Sequence, residues 1–265
     1  MLWMAGSDVA RRVGWIFVLV VGGLLFEIER RTLIDTRNPN YVPSLILLGA
    51  AVAPATFVSF VYGRRLRYNV SAGALILIAL LGGVLGTVVA GVLEYKTLIK
   101  LGTLPMVAVA ISEEASKLIV PIAVLALRRY RTMADGLLIG VASGAGFAAL
   151  ETMGYAFVAL IVSRGDIQTV DGLLLLRGVL SPAGHMAWTG LTCAGLWGAA
   201  NEGWSARSII GFLLIFAMAV ALHTAWDTVG TRTGYAVVGI VSVAALGFIT
   251  HRISVKSRLF AGAVR

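Results

Sequence analysis

Charge is what this chain has least of. Only 13% of its 265 residues are Asp, Glu, Lys or Arg, against about 25% in an ordinary soluble domain. No polar stretch is long enough to fold as a separate soluble domain, so residues 1–265 read as one domain. Cysteine is nearly absent as well. Cys193 stands alone, which excludes an internal disulfide and leaves the redox compartment unreadable; it suits a small buried position. Internal repeats and low-complexity tracts are also missing. That absence argues against a transporter built from two related halves.

What remains is apolar. The hydrophobic share is 58% and the mean hydropathy +0.90. Uncharged runs recur along the whole chain, most of them long enough to cross a hydrocarbon core of roughly 30 Å as a helix. The pattern predicts an all-α polytopic membrane bundle of about eight spans. These are Val13–Phe26, then about 42–63, 70–93, 104–127, 136–162, 179–200, 208–230 and 234–250, with a polar loop from Ser163 to Arg177. The first span is short, and no small-x-small cleavage site follows it, so it reads as an uncleaved span and not a signal peptide.

The net charge of +9 falls on short loops between the spans, as topology signals do, and does not point to nucleic acid. With this layout one set of loops, together with both termini, holds 13 Lys and Arg and the opposite set holds 8. The excess places both termini in the cytoplasm, for a prokaryotic plasma membrane. The basic tail after His251 reads as one more topology signal, although contact with anionic lipid headgroups is open to it. In span five, Gly136, Gly140 and Gly144 make a small-xxx-small row of the kind that lets helices approach closely, or a chance spacing among 31 glycines.

Spans one, two, three and eight contain no Asp, Glu, Lys, Arg or His. Spans four to seven contain seven: Glu113, Glu114, Lys117, Glu151, His185, His223 and Asp227. Each charge at the centre of an isolated membrane helix costs about 2.5–3.5 kcal/mol on insertion scales, so these groups should face one another or water. Either Glu113 or Glu114 can reach Lys117 on a helix, being four and three residues before it. One carboxylate can then pair with the ammonium while the other faces the cavity as a general base; a buried structural ion pair is the plainer reading. Pro121 removes the hydrogen bond to the Lys117 carbonyl and predicts a kink there. His223 and Asp227 share a helix face, so the carboxylate can orient the ring. Glu151 and His185, taken singly, are as readily packing residues as site residues.

Two chemistries fit the set. A free Glu can activate water while a His stabilises the developing oxyanion. Alternatively His185 and His223, with Glu151 or Asp227, can hold a divalent metal, zinc being the ion that suits two imidazoles and an acid. The local His-Glu-x-x-His signature is absent. Spacing alone leaves both open.

Glu113-Glu114-x-x-Lys117, Phe147-x-x-x-Glu151, His185 and His223-x-x-x-Asp227, in that order over residues 113–227, resemble the PrsW family of intramembrane proteases. That family is distantly related to the CAAX prenyl endopeptidases and the bacteriocin-processing Abi proteins. The resemblance implies a catalytic core over about 104–230 and hydrolysis of a peptide bond in a membrane-anchored protein, an anti-sigma factor being the family's archetypal substrate. It also implies Glu113 as water-activating base with Glu114 beside it, His223 as oxyanion or metal partner, and Asp227 as its orienter. Glu151 stands where the prenyl-endopeptidase relatives have His, and Asp227 where they often have Asn. The relatives suggest a glutamate mechanism without metal, whereas the family is often classed among metalloproteases. A proton- or ion-coupled transporter and a non-catalytic scaffold are the rival readings.

Overall fold

The structure is a computed structural model that describes residues 2–64, 66 and 68–263, with side chains for 10–64, 66 and 68–255. Arg65 and Arg67, in the basic cluster expected after span two, lie outside the described residues. So do the side chains of Lys256 and Arg258, and all of Arg265, in the basic tail.

The described residues are almost wholly helical, with no strand among them. In order they form α1 (Leu2–Thr36), α2 (Val42–Tyr62), α3 (Ala72–Leu101), α4 (Met106–Ser116), α5 (Ile119–Ala126), α6 (Met133–Val162), α7 (Ile167–Leu180), α8 (His185–Asn201), α9 (Ala206–Thr228) and α10 (Arg232–Ala263). Among the described residues, five stretches are long and apolar enough to cross a membrane: Pro39–Tyr62, Ala72–Leu101, Met133–Val162, Ala206–Thr228 and Arg232–Val255. The chain is an integral membrane protein. Expected spans one, four and six are not among the five. The side chains at the start of α1 lie outside the described residues; span four is broken into α4 and α5; and α8 has 17 residues.

The expected loop from Ser163 to Arg177 is a correction. Most of it is α7. Asp166 caps that helix by accepting from the backbone N–H groups of Gln168 and Thr169, at 3.2 and 3.1 Å. The hydroxyl of Thr169 also donates to Asp166, and these hydrogen bonds hold the carboxyl below its ordinary range.

The chain forms two compact units: Met1–Arg64 with Ala148–Pro182, and Arg65–Phe147 with Ala183–Arg265; α6 runs through both. The first unit is built from α1, α2, the second half of α6 and α7. Its core is Ile46, Ala50, Ala156, Val170 and Leu174. A Cβ on Gly49 of α2 would strike Leu174 and Phe26, so the helices close in over a bare backbone there.

The second unit holds α3, α4, α5, the first half of α6, α8, α9 and α10. Its organising element is α6, which starts on a capping box. Asp135 Oδ2 accepts from the N–H of Thr132 at 3.2 Å, and Thr132 Oγ1 accepts from the N–H of Asp135 at 3.0 Å. Asp135 also takes the backbone and side-chain N–H groups of Asn69, at 2.6 and 2.9 Å, which ties the entry to α3 to this helix start.

Two glycine seams then bring α6 against its neighbours. A Cβ on Gly83 would sit 2.7 Å from the Gly146 backbone, and one on Gly146 would collide with the Ala79 carbonyl, so α3 and α6 meet backbone to backbone. On the α8 side, added Cβ atoms would meet Trp197 at Gly136, the Thr189 carbonyl and Cys193 at Gly140, and the His185 carbonyl at Gly144. The expected glycine row is therefore a helix contact, and Cys193 is buried in it.

The kink expected at Pro121 is a full break. The α4 ladder ends with the Lys117 N–H on the Glu113 carbonyl at 3.0 Å, and the ladder resumes with Ile122 on Leu118 at 2.8 Å. The Lys117 carbonyl that Pro121 leaves without its donor accepts the buried hydroxyl of Ser143 on α6 at 2.8 Å. Ser143→Ala would orphan that carbonyl. It is expected to destabilise the protein by about 1–3 kcal/mol, read as a lower unfolding temperature in detergent.

Candidate active site

In the second unit the break places Lys117 one residue past the end of α4, pointing back at the two acids that precede it. Its Nζ lies 2.7 Å from Glu114 Oε1 and 3.2 Å from Glu113 Oε2. From α8, His185 brings Nδ1 to 2.6 Å of the same nitrogen. The Phe147 ring of α6 covers it, with its centroid 4.1 Å away. The lysine side chain is wholly buried.

From α9, His223 enters on the other side of the acids. Its Nδ1 is 2.9 Å from Glu114 Oε1, and its Nε2 is 3.3 Å from Asp227 Oδ2 and 3.6 Å from Glu113 Oε2. Both ring nitrogens thus face carboxylates. Trp188 of α8 stacks on it at 4.9 Å and is anchored by its indole N–H to Ser242 Oγ of α10 at 2.9 Å. The His185 and His223 ring centres are 5.1 Å apart.

The two adjacent acids are not equivalent. Glu114 is 1% exposed and accepts from both Lys117 and His223, whereas Glu113 is 10% exposed and its contacts are longer. His185 at 12% and Asp227 at 25% are, with Glu113, the more exposed members of the cluster. Desolvation of an ionic cluster is tolerable only when partners surround each charge, which this interlock provides.

Six of the seven sequence-selected residues therefore meet in one place: Glu113, Glu114, Lys117, His185, His223 and Asp227. The seventh, Glu151, falls on the part of α6 that belongs to the first unit. There Arg177 of α7 donates to it at 2.6 Å and to Thr152 at 3.1 Å, while stacking over Tyr155. Sequence reasoning missed Arg177 and Ser143. Arg177 carried a signal, a cation inside the apolar run Leu173–Leu180; Ser143 carried none beyond its distance from Pro121.

Matched against known families, residues 68–250 fit the one described as PrsW family intramembrane metalloprotease. The chain belongs to the PrsW family. It is an intramembrane protease by that membership. No curated protein and no solved structure matches it.

The PrsW description implies a metal, and the donor set can be tested for one. Ligand atoms of Glu113, His185 and His223 lie within 4.8 Å of one another, a spacing that a single ion could span. The occupancy of those atoms is less favourable. Lys117 Nζ already sits on His185 Nδ1. Were His185 to ligate through Nε2 instead, its Nδ1 would carry a proton and oppose an ammonium, donor against donor. Zinc sites need neutral imidazole lone pairs. With Lys117 on His185 Nδ1, an ion at these three donors would have to compete with the ammonium for that imidazole.

Proposed function

We propose that this PrsW-family protein cleaves a peptide bond of a membrane-anchored protein by a glutamate mechanism, with Glu113 as the general base. The observation that carries the assignment is the asymmetry of the paired acids. Glu114 is saturated by Lys117 and His223, while Glu113 is held more loosely and is the more exposed of the two. A base must reach a water and exchange its proton, which a doubly bonded, sealed carboxylate does poorly.

In this reading Glu113 takes a proton from water as the water oxygen bonds to the scissile carbonyl carbon. The negative charge that develops on the carbonyl oxygen is met by an N–H of His223, which Glu114 and Asp227 orient. The carbon–nitrogen bond then breaks, and Glu113 returns the proton to the leaving amine. Lys117 and His185 complete the site, and Glu151 stays in the proposed set on the strength of the family motif. An anti-sigma-factor-like substrate, a prokaryotic plasma membrane and cytoplasmic termini belong to the same proposal. The single membrane domain does too, and family membership and loop charge support it.

The test is reconstitution of the purified protein with a single-span reporter. Wild type is expected to cut it. His223→Ala is expected to lose activity by about 10²–10³-fold, as removal of one oxyanion donor does. Uncut reporter with wild type under all conditions, or normal cutting by His223→Ala, would defeat the assignment.

A further inference from the structure

The three N–H bonds of a lysine ammonium need three acceptors. Around Lys117 Nζ stand Glu114 Oε1, Glu113 Oε2 and His185 Nδ1, at 2.7, 3.2 and 2.6 Å. The Phe147 ring lies against the nitrogen as well. A lysine nitrogen set between two carboxylates is a donor to its neighbours. It therefore donates to His185, and His185 Nδ1 accepts. The remaining ring proton is then on Nε2.

Much of this unit's architecture serves that nitrogen. The helix break after Ser116 makes Lys117 the capping residue of α4, and Ser143 fixes its carbonyl. A Cβ on Gly86 of α3 would press on Phe147 at 2.9 Å, so the bare glycine leaves the ring room to cover the ammonium. The acids and imidazole that converge here are of the types a divalent ion would draw together.

We propose that Lys117 is the resident cation of the site. Its ammonium fills the donor nest that a divalent metal would otherwise take, and it fixes His185 as the Nε2–H tautomer, so this PrsW-family protein works without a metal ion. The proposal rests on the protease reading for its meaning, but its geometry can be tested apart from turnover. Lys117 is here a positioning residue: it acts through Glu113, Glu114 and His185 and does not itself meet substrate.

The first measurement is made on the full-length protein in detergent. After exposure to zinc and removal of the excess, wild type is expected to retain far less than one zinc per chain, by elemental analysis. Lys117→Met keeps the length of the side chain and removes its charge. Provided it folds, it is expected to retain up to one zinc per chain, because Glu113, His185 and His223 are released. A wild type that retains one zinc per chain overturns the proposal. So does a folded Lys117→Met protein that binds no more than wild type.

The second measurement needs no variant at the lysine. The chain has three histidines, so ¹⁵N-histidine labelling gives a sparse spectrum, and His185→Asn assigns the His185 signals by difference. An unprotonated Nδ1 and a protonated Nε2 on His185, unchanged by chelator, are expected; a protonated Nδ1 would overturn the assignment. Reporter cleavage by wild type should survive the same chelator. If cleavage is present before chelation and lost after it, the cation proposal fails while the protease reading stands. If no cleavage is seen at all, the protease reading fails, and the metal content and spectrum still decide the cation.

Discussion

Glu113→Gln is expected to cut reporter turnover by about 10²–10⁴-fold, the contribution of a positioned general base, with little change in unfolding temperature. The amide keeps the shape of the side chain and can still accept from Lys117, so the interlock survives while the base is gone. The neighbouring change behaves differently. Glu114→Gln replaces a carboxylate that takes Lys117 at 2.7 Å and His223 at 2.9 Å. It leaves two buried donors sharing one amide oxygen. Breaking a buried ion pair in this way costs about 3–5 kcal/mol, so both turnover and unfolding temperature should fall. Measuring the two variants side by side separates the roles of base and scaffold. Equal loss of stability in both would remove the distinction on which the choice of Glu113 rests.

The largest effect on folding is expected at Gly146. Its added Cβ would occupy the position of the Ala79 carbonyl oxygen on α3, and both partners are helix backbone. Overpacking in an ordinary core costs about 1–3 kcal/mol because side chains move aside. Here no side chain is available to move, so Gly146→Ala should reach or exceed that range, seen as loss of folded protein in detergent. Gly154→Ala, on the same helix with open space around it, is the control. It should be neutral or stabilising by up to about 1 kcal/mol, the helix preference of Ala over Gly. Equal damage from both would mean that helix propensity and not the close approach is at work.

Much of the buried polar cluster was legible in the sequence because desolvation cost acts on single residues. An ionisable group inside an apolar run must find a partner, and that rule picks out Glu113, Glu114, Lys117, His185, His223 and Asp227, and with them Glu151, whose partner is Arg177 of α7. Spacing of three and four residues also forecast the Lys117 and Asp227 contacts correctly. Which acid seals the site and which is the more exposed was not legible, since adjacent residues differ only in how α4 is rotated against α8 and α9. The partner of His185 was likewise hidden, because Lys117 and His185 are 68 positions apart.

For the fold, long uncharged runs marked the helices well, but hydropathy says nothing about hydrogen bonds along a run. It therefore drew α4 and α5 as one span. The ladder is interrupted there because Pro121 removes a donor and Ser143, from another helix, replaces it. Hydropathy also passed over α7, whose start is written in the short-range chemistry of Asp166 and Thr169.

The limited exposure of the site's groups has a bearing on substrate selection. Only about a tenth of the Glu113 and His185 side chains and a quarter of Asp227 are exposed. An intact helix, about 10–12 Å across with its side chains, keeps its carbonyls bonded within its own backbone. A segment must unwind locally before it can offer a carbonyl to groups so largely covered. Glycine or proline near the scissile bond should therefore raise the cleavage rate, and the order of good and poor substrates should follow ease of unwinding more closely than the identity of the flanking side chains.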